Sequence, residues 1–188
     1  MNLTPTLASP AGANRYSGTA IVLHWLVALL IIGGFWLGWV MTDIPGFTPT
    51  KLRYFSWHKW IGVTVFLLAL LRIVWRLTHR PPPLPAGMPA LQRVVSHAVH
   101  GLLYVAMIAI PASGYLYSSA AGIQVVYLGV LPLPTLIAPD VHLRAVLRLL
   151  HISLNYGLLG LVGLHLLGVV KHTLIDRDGL LSRMLPRL

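Results

Sequence analysis

Nine histidines and no cysteine bound the chemistry open to this chain of 188 residues. Disulfides, thiolate metal sites and iron–sulfur clusters are excluded within it, so a metal must take histidine, methionine or oxygen ligands. Two of the histidines, His151 and His165, lie in LLHISLNYGLLGLVGLHLLG, residues 149–168, which is otherwise almost wholly apolar. A separation of fourteen residues returns them to within about 40° of one helical face, roughly 21 Å apart along the axis. A polar ring in hydrocarbon needs a partner. A single membrane histidine can be satisfied by a hydrogen bond, but two on one face at two depths call for partners on other elements.

Those elements follow from composition. The chain is 56% hydrophobic with a mean hydropathy of +0.77 and only four acidic side chains, too apolar for a water-soluble domain of this size. A helical span needs roughly 20 mainly apolar residues, and four stretches qualify: Thr19 to Met41, Trp57 to Leu77, Val94 to Ser118 and Leu147 to Leu174. The expected fold is all-α, an integral membrane up-down four-helix bundle forming one domain over residues 19–188 behind a flexible tail of residues 1–18. The opening MNLTPTLASPAGANRYSG carries no basic segment followed by an apolar core, so no signal peptide is expected.

The connections are marked by their own residues. Asp43, Pro45, Gly46 and Pro49 stop the first helix, the second is expected from near Ser56, and RPPPLPAGMP is a stiff non-helical link. Pro111 and Gly114 predict a kink in span three that frees a backbone carbonyl. The segment AGIQVVYLGVLPLPTLIAPDVHL between spans three and four is apolar enough to lie on or dip into the membrane surface, where it could form a lid.

A formal charge of +10 invites a nucleic-acid reading, yet the basic residues cluster at the ends of the spans and form no aromatic-interleaved stripe. Membrane lipid is the partner they fit, and no nucleic acid is expected. Arg15, Arg72, Arg76, Arg80, Arg93, Lys171, Arg177, Arg183 and Arg187 fall on one side; Lys51, Arg53, Lys59, Arg144 and Arg148 fall on the other. The excess of positive charge places both termini in the cytoplasm.

With this topology, span one runs outward and spans two and four run inward. His24 then lies level with His165 near the cytoplasmic leaflet, and His58 lies level with His151 near the outer one. Two cross-helix pairs stacked along the membrane normal are what two bis-histidine haem b groups require, one imidazole on each axial face of the iron. Glycines 33, 34 and 38 in span one and 157, 160, 163 and 168 in span four suit a flat macrocycle, and suit ordinary helix packing equally. No span contains a carboxylate, which weighs against a proton- or cation-coupled transporter or metal channel.

Arg72 lies fourteen residues after His58, on nearly the same face, and could bind a haem propionate bidentately or reach lipid phosphates. His97 and His100 share a face at the cytoplasmic start of span three and could meet a propionate or a quinone, or serve as alternative ligands. His172 lies about 10 Å beyond His165, a weaker ligand candidate, and His79 and His142 sit in or beside loops. Lys51, Arg53 and Lys59 near the outer pair could form a positive funnel for a small anionic reductant.

The stretches RYSGTAIVLHWLVALLI, HKWIGVTVFLLALLRIVWRL, PPPLP, HAVHGLLYVAMIAIPASGYL, LRLLHISL, GLHLLGVVKH and DRDGLLSRMLP, in this order from Arg15 to Pro186, resemble the prokaryotic cytochrome b561 family. The bundle is also similar to the dihaem cytochrome b subunits of membrane hydrogenases and formate dehydrogenases. The resemblance implies a multi-pass bacterial inner-membrane protein with two haem b groups, electron transfer and quinone chemistry. Its iron ligands fall on His24, His58, His151 and His165, the four that depth and helical phase select. One branch of the family passes electrons from superoxide to ubiquinone, so superoxide:quinone oxidoreductase activity is one expectation. The alternative is a dihaem cytochrome b anchor subunit relaying electrons for a separate periplasmic dehydrogenase or hydrogenase, and in either case the expected donor is a periplasmic small molecule or protein.

Overall fold

In the computed structural model, which describes residues 15–85 and 87–186, helices begin where a side-chain oxygen can take up a free backbone N–H. Ser17 accepts from the Ala20 N–H to open α1 (Gly18–Asp43), Thr48 accepts from Lys51 to open α2 (Pro49–Thr78), and Asp140 accepts from Leu143 to open α4 (Val141–Val170). Each is an N-cap bond that satisfies one of the orphan donors of a first turn. The third helix, α3 (Ala90–Ala120), follows Pro89 without a side-chain cap. The 26 to 31 residues of these helices give lengths of about 39–46 Å, more than the roughly 30 Å of a hydrocarbon core.

Two starts differ from the sequence expectation. Helix α2 begins at Pro49, seven residues before Ser56, because Pro49 occupies the first helical position behind the Thr48 cap, a place where its missing N–H costs nothing. Likewise α4 begins at Val141, so His142 is in its first turn and the loop is shorter than the apolar pattern implied. Of the tail expected at residues 1–18, residues 1–14 lie outside the described residues.

The helices form an all-α up-down membrane bundle: α1 packs on α2, α2 on α3 and α3 on α4, whereas α4 has at most marginal backbone contact with α1 and α2. The ends of α1 and α4 that carry the chain termini share one side, the terminus side; the α1–α2 and α3–α4 connections share the opposite, hairpin side. Buried side chains such as Val27, Ala69 and Met107 form one cluster, and Ala106, Ile110 and Leu158 a second. The outward faces of all four helices expose leucine, valine, isoleucine and tryptophan, as lipid-facing surfaces do.

On the terminus side the chain folds back on itself. After α4 the backbone widens into a π-helical turn (Lys171–Asp176), and left-handed Arg177 and Gly179 reverse its direction. Met184 O then accepts from Trp25 Nε1 at 2.9 Å and Leu185 O from Arg15 Nη2 at 2.7 Å, while Arg183 Nη1 reaches Pro83 O at 2.8 Å. The closing DRDGLLSRMLP thus ties the ends of α1, α2 and α4 together.

On the hairpin side the apolar α3–α4 segment folds into a short antiparallel pair, β1 (Val126–Tyr127) and β2 (Leu131–Pro132), in register Val126 with Pro132 and Tyr127 with Leu131. It lies along α2: Trp60 Nε1 donates to Val126 O at 2.7 Å, and the Thr64 and Tyr127 hydroxyls are 2.9 Å apart. The Tyr115 hydroxyl fastens the far end to Pro134 O. Trp60→Phe keeps a smaller aromatic ring and removes the donor, leaving the Val126 carbonyl without it. The expected result in detergent is a loss of about 1 kcal/mol of thermal stability and faster limited proteolysis between residues 121 and 140, with helix content by circular dichroism unchanged.

Candidate functional site

Helix directions decide which histidines meet. His58 and His151 each stand in the first half of a helix that enters from the hairpin side, and their rings meet edge-on with centroids 6.2 Å apart and planes at 86°. His24 enters early from the terminus side on α1 and meets His165 near the end of α4, again with centroids 6.2 Å apart, planes at 65°. A metal–imidazole bond of about 2.0 Å, with about 1.1 Å from the nitrogen to its ring centre, puts trans imidazoles on one metal with centres roughly 6 Å apart. Both pairs have that spacing. His100 lies only 5.2 Å from the His165 ring, edge-on at 84°, too close to share a metal with it in trans.

Hydrogen bonding fixes the hairpin-side rings further. A carbonyl can only accept, so His58 Nδ1–H donates to Gly34 O at 3.0 Å and His151 Nδ1–H to Ile110 O at 3.0 Å. Each neutral ring then leaves Nε2 unprotonated, the form a metal needs. Buried Ser113 stands 3.1 Å from the same His151 nitrogen and donates to Ile110 O at 2.8 Å. Helix α3 runs through Pro111 without interruption; the carbonyl that serves His151 is Ile110's, not the Met107 carbonyl that the proline deprives of its usual donor.

Two glycines make room. A Cβ at Gly114 would lie 2.9 Å from His151 Cε1, and one at Gly38 would lie 3.4 Å from His58 Cε1. The glycines of α4 behave otherwise: at 157, 160, 163 and 168 an added Cβ would meet nothing within 4 Å, so they are not sites of close helix packing. Between the rings and the bundle centre is a small cavity lined from all four helices by residues that include Phe35, Val65, Met107 and Asn155. No residue of the α3–α4 loop lines it; the expected lid lies along α2 instead.

The terminus-side pair has different neighbours. Arg72 Nη2 is 3.2 Å from His24 Nδ1, and a guanidinium only donates, so Nδ1 is the acceptor in this contact. Ligation through His24 Nε2 therefore requires Arg72 to turn from the ring toward an anion. Arg72 and Arg76 both lie over the Tyr104 ring, at 5.2 and 5.8 Å. His97 is exposed and bonds back to Arg93 O at 2.8 Å. His172 is taken up elsewhere, 2.6 Å from Asp178 and 3.1 Å from Gln92 Nε2. With Asp176 it groups ligand atoms within 4.8 Å, but Lys171 Nζ already bonds both Asp176 oxygens at 2.9 and 2.6 Å. His142 is exposed on α4, and exposed His79 stacks on Trp75 at 3.8 Å.

Residues 15–187 match the family described as prokaryotic cytochrome b561. The chain belongs to that family. Cytochrome b561 homolog 2 of Escherichia coli K12 is 32% identical over 174 residues, 92% of each chain. A probable superoxide oxidase CybB of Yersinia pestis is 28% identical over 177 residues, 92% of this chain and 97% of its own, and Cytochrome b561 homolog 1 of E. coli is 26% identical over 179 residues, 93% and 98%. As a cytochrome b561 the chain is a multi-pass membrane electron-transfer protein that binds haem b. The ring spacing and the unprotonated Nε2 atoms of His58 and His151 fit that group.

Sequence reasoning selected the four rings but not the groups that orient them, Gly34 O, Ile110 O, Ser113 and Gly114. Only Pro111 and Gly114, read as a kink, marked the place. Gly114→Ala drives a methyl into the His151 ring, whereas Gly157→Ala adds one in open space. The first should lower the haem b bound per chain and the second leave it unchanged, measured by pyridine haemochrome on purified protein with circular dichroism as the folding control.

Proposed function

We propose that this chain is one four-helix domain over residues 19–188 carrying two haem b groups, held by His58 and His151 on the hairpin side and by His24 and His165 on the terminus side. The observation that carries this reading is the repeated 6.2 Å separation of the two ring pairs. Haem b held by these histidines would supply a one-electron iron couple. The chain's own work is to hold the rings, exclude water from the bundle interior and set the local charge. Arg72, released from His24, is placed to hold a propionate through its bidentate fork.

The terminus side faces the cytoplasm in this reading, because nine basic residues lie there against five on the other side. The donor is a small anion arriving at the hairpin side, superoxide, and the acceptor is ubiquinone: two superoxide ions give two electrons, and the quinone takes these with two protons to become quinol, releasing two molecules of oxygen. Exposed Arg53 and half-buried Lys59 supply positive charge near His58, while Lys51 is tied to Ile44 O at 2.7 Å. The likeness to a probable superoxide oxidase supports this donor.

Reduced-minus-oxidised spectra should show b-type bands at two haems per chain, and stopped-flow mixing with superoxide should reduce them and, with ubiquinone present, produce quinol. His58→Ala or His151→Ala should remove the hairpin-side haem alone, and His24→Ala or His165→Ala the other. One haem per chain, or loss of a haem in His100→Ala with retention in His24→Ala, would overturn the pairing. Reduction by quinol but not by superoxide would overturn the donor.

A further inference from the structure

The segment between α3 and α4 reaches further along the bundle than a surface loop does. Ring contact puts His58 level with His151. Arg148 is the last charged residue before the apolar run of α4. By the rise of a helix, Trp60 and Thr64 on α2 stand about 8 and about 14 Å inside the level of Arg148, and the hydrocarbon of one leaflet is about 15 Å deep. These two residues hold the hairpin, through Val126 O at 2.7 Å and the Tyr127 hydroxyl at 2.9 Å. Gly129 lies against the Trp60 ring, where a Cβ added to it would come within 3.7 Å. The hairpin therefore lies at hydrocarbon depth.

Its seat is continuous with the lipid-facing surface. Trp60, Thr64, Leu67, Leu71 and Val74 follow at intervals of three and four residues and share one face of α2. The hairpin covers the first two, while Leu67, Leu71 and Val74 are 52%, 49% and 57% exposed. From Ala121 to Pro139 there is no charged side chain, and Leu128, Val130 and Leu131 are exposed. The turn joining the strands is closed by Val130 N–H donating to Tyr127 O at 3.1 Å. Both of its central residues have positive φ, 53° at Leu128 and 75° at Gly129, a conformation dominated by Gly, Asn and Asp. Asparagine would suit both the backbone and water at the first of these positions; leucine strains the backbone and suits only an apolar medium.

Non-helical backbone at this depth is tolerated only where protein meets its polar groups. Here the Gly129 and Leu133 N–H groups donate to Val126 O and Val125 O at 3.3 and 2.9 Å, and Pro132 and Pro134 have no N–H. The carbonyls of Val126, Leu133 and Pro134 accept from the side chains of Trp60, Gln124 and Tyr115. We propose that the α3–α4 hairpin is a membrane-embedded wedge, seated on α2 within the hairpin-side leaflet, with its tip at Leu128 to Val130 in contact with lipid acyl chains. It widens the lipid-binding surface of α2 in that leaflet, and water does not bathe it.

Because the chain has no cysteine, one introduced thiol is a unique reporter. The purified full chain is placed in phosphatidylcholine nanodiscs at one chain per disc and treated with a charged maleimide. Val130→Cys should react at least tenfold more slowly than Phe47→Cys, which lies in the α1–α2 connection on the same side, and as fast once both are denatured in SDS. Val130 is 81% and Phe47 95% exposed in the chain itself, so a difference in rate comes from the lipid. Equal rates would overturn the proposal; if protection then appeared with two chains per disc, the cover would be a second copy. Wild-type protein gives a second reading, independent of whether Val130→Cys folds. Phosphatidylcholine bearing a diazirine in its acyl chain should cross-link within residues 126–131, mapped by mass spectrometry. Cross-links at Leu67 and Leu71 with none in the hairpin would overturn the proposal.

Discussion

In the proposed reading each pair of imidazoles shares a metal, which it can do only if nothing stands between the rings and neither turns away. Rings 6.2 Å apart on different helices oblige the helices that bear them to stand off from one another. Accordingly α4, which contributes a ring to each pair, packs on α3 and has at most marginal backbone contact with α1 or α2. The bundle is closed by other means: the C-terminal segment binds the start of α1 on one side, and the α3–α4 hairpin binds α2 on the other. A membrane bundle gains little from apolar burial between its helices, because lipid is equally apolar. Specific hydrogen bonds at its two ends can therefore set its shape.

Orientation of the rings falls to the backbone. A carbonyl within a helix already has a donor, so a second hydrogen bond to it requires close approach. Gly114 provides that on α3, where a methyl group would collide with His151. Gly38 does so more mildly on α1, one turn past the carbonyl of Gly34 that takes the His58 proton. Helix α3 contributes no ring to either pair, although its His100 stands 5.2 Å from His165. It contributes instead the Ile110 carbonyl, Ser113 and the space at Gly114 on one side, and Tyr104 on the other.

This division explains what could be read from the residues. The four spans were legible because hydrocarbon demands long apolar runs, and the histidine pairs because phase and depth along a helix are arithmetic. The start of α2 was hidden: Pro49 looks like a terminator until Thr48 is seen to cap the turn that the proline begins. The early start of α4 was hidden likewise, since Val141 to Val146 lie beyond the apolar core and the Asp140 cap sits among prolines and loop residues. Partners of the rings were hidden for a deeper reason. Gly34 O and Ile110 O belong to the backbone, which every residue carries, so no residue type announces them. Of the two readings the α4 glycines allowed, helix packing is not the one they serve, since an added Cβ there would meet nothing within 4 Å.

The sharing of α4 has one more consequence. A change that tilts or slides α4 moves His151 and His165 together and disturbs both pairs, whereas a change in α2 near His58 or in α1 near His24 reaches one pair only. The two environments can therefore differ without a second domain: carbonyl acceptors from α1 and α3 surround one pair, and guanidiniums from α2 crowd the other. Because helices α2 and α4 run in the same direction, His58 and Arg72 on α2 stand at the depths of His151 and His165 on α4. A single fourteen-residue spacing on each helix thus places a ring opposite a ring at one end and a cation beside a ring at the other. Symmetry of spacing with asymmetry of chemistry is how four simple helices can distinguish the two sides of a membrane.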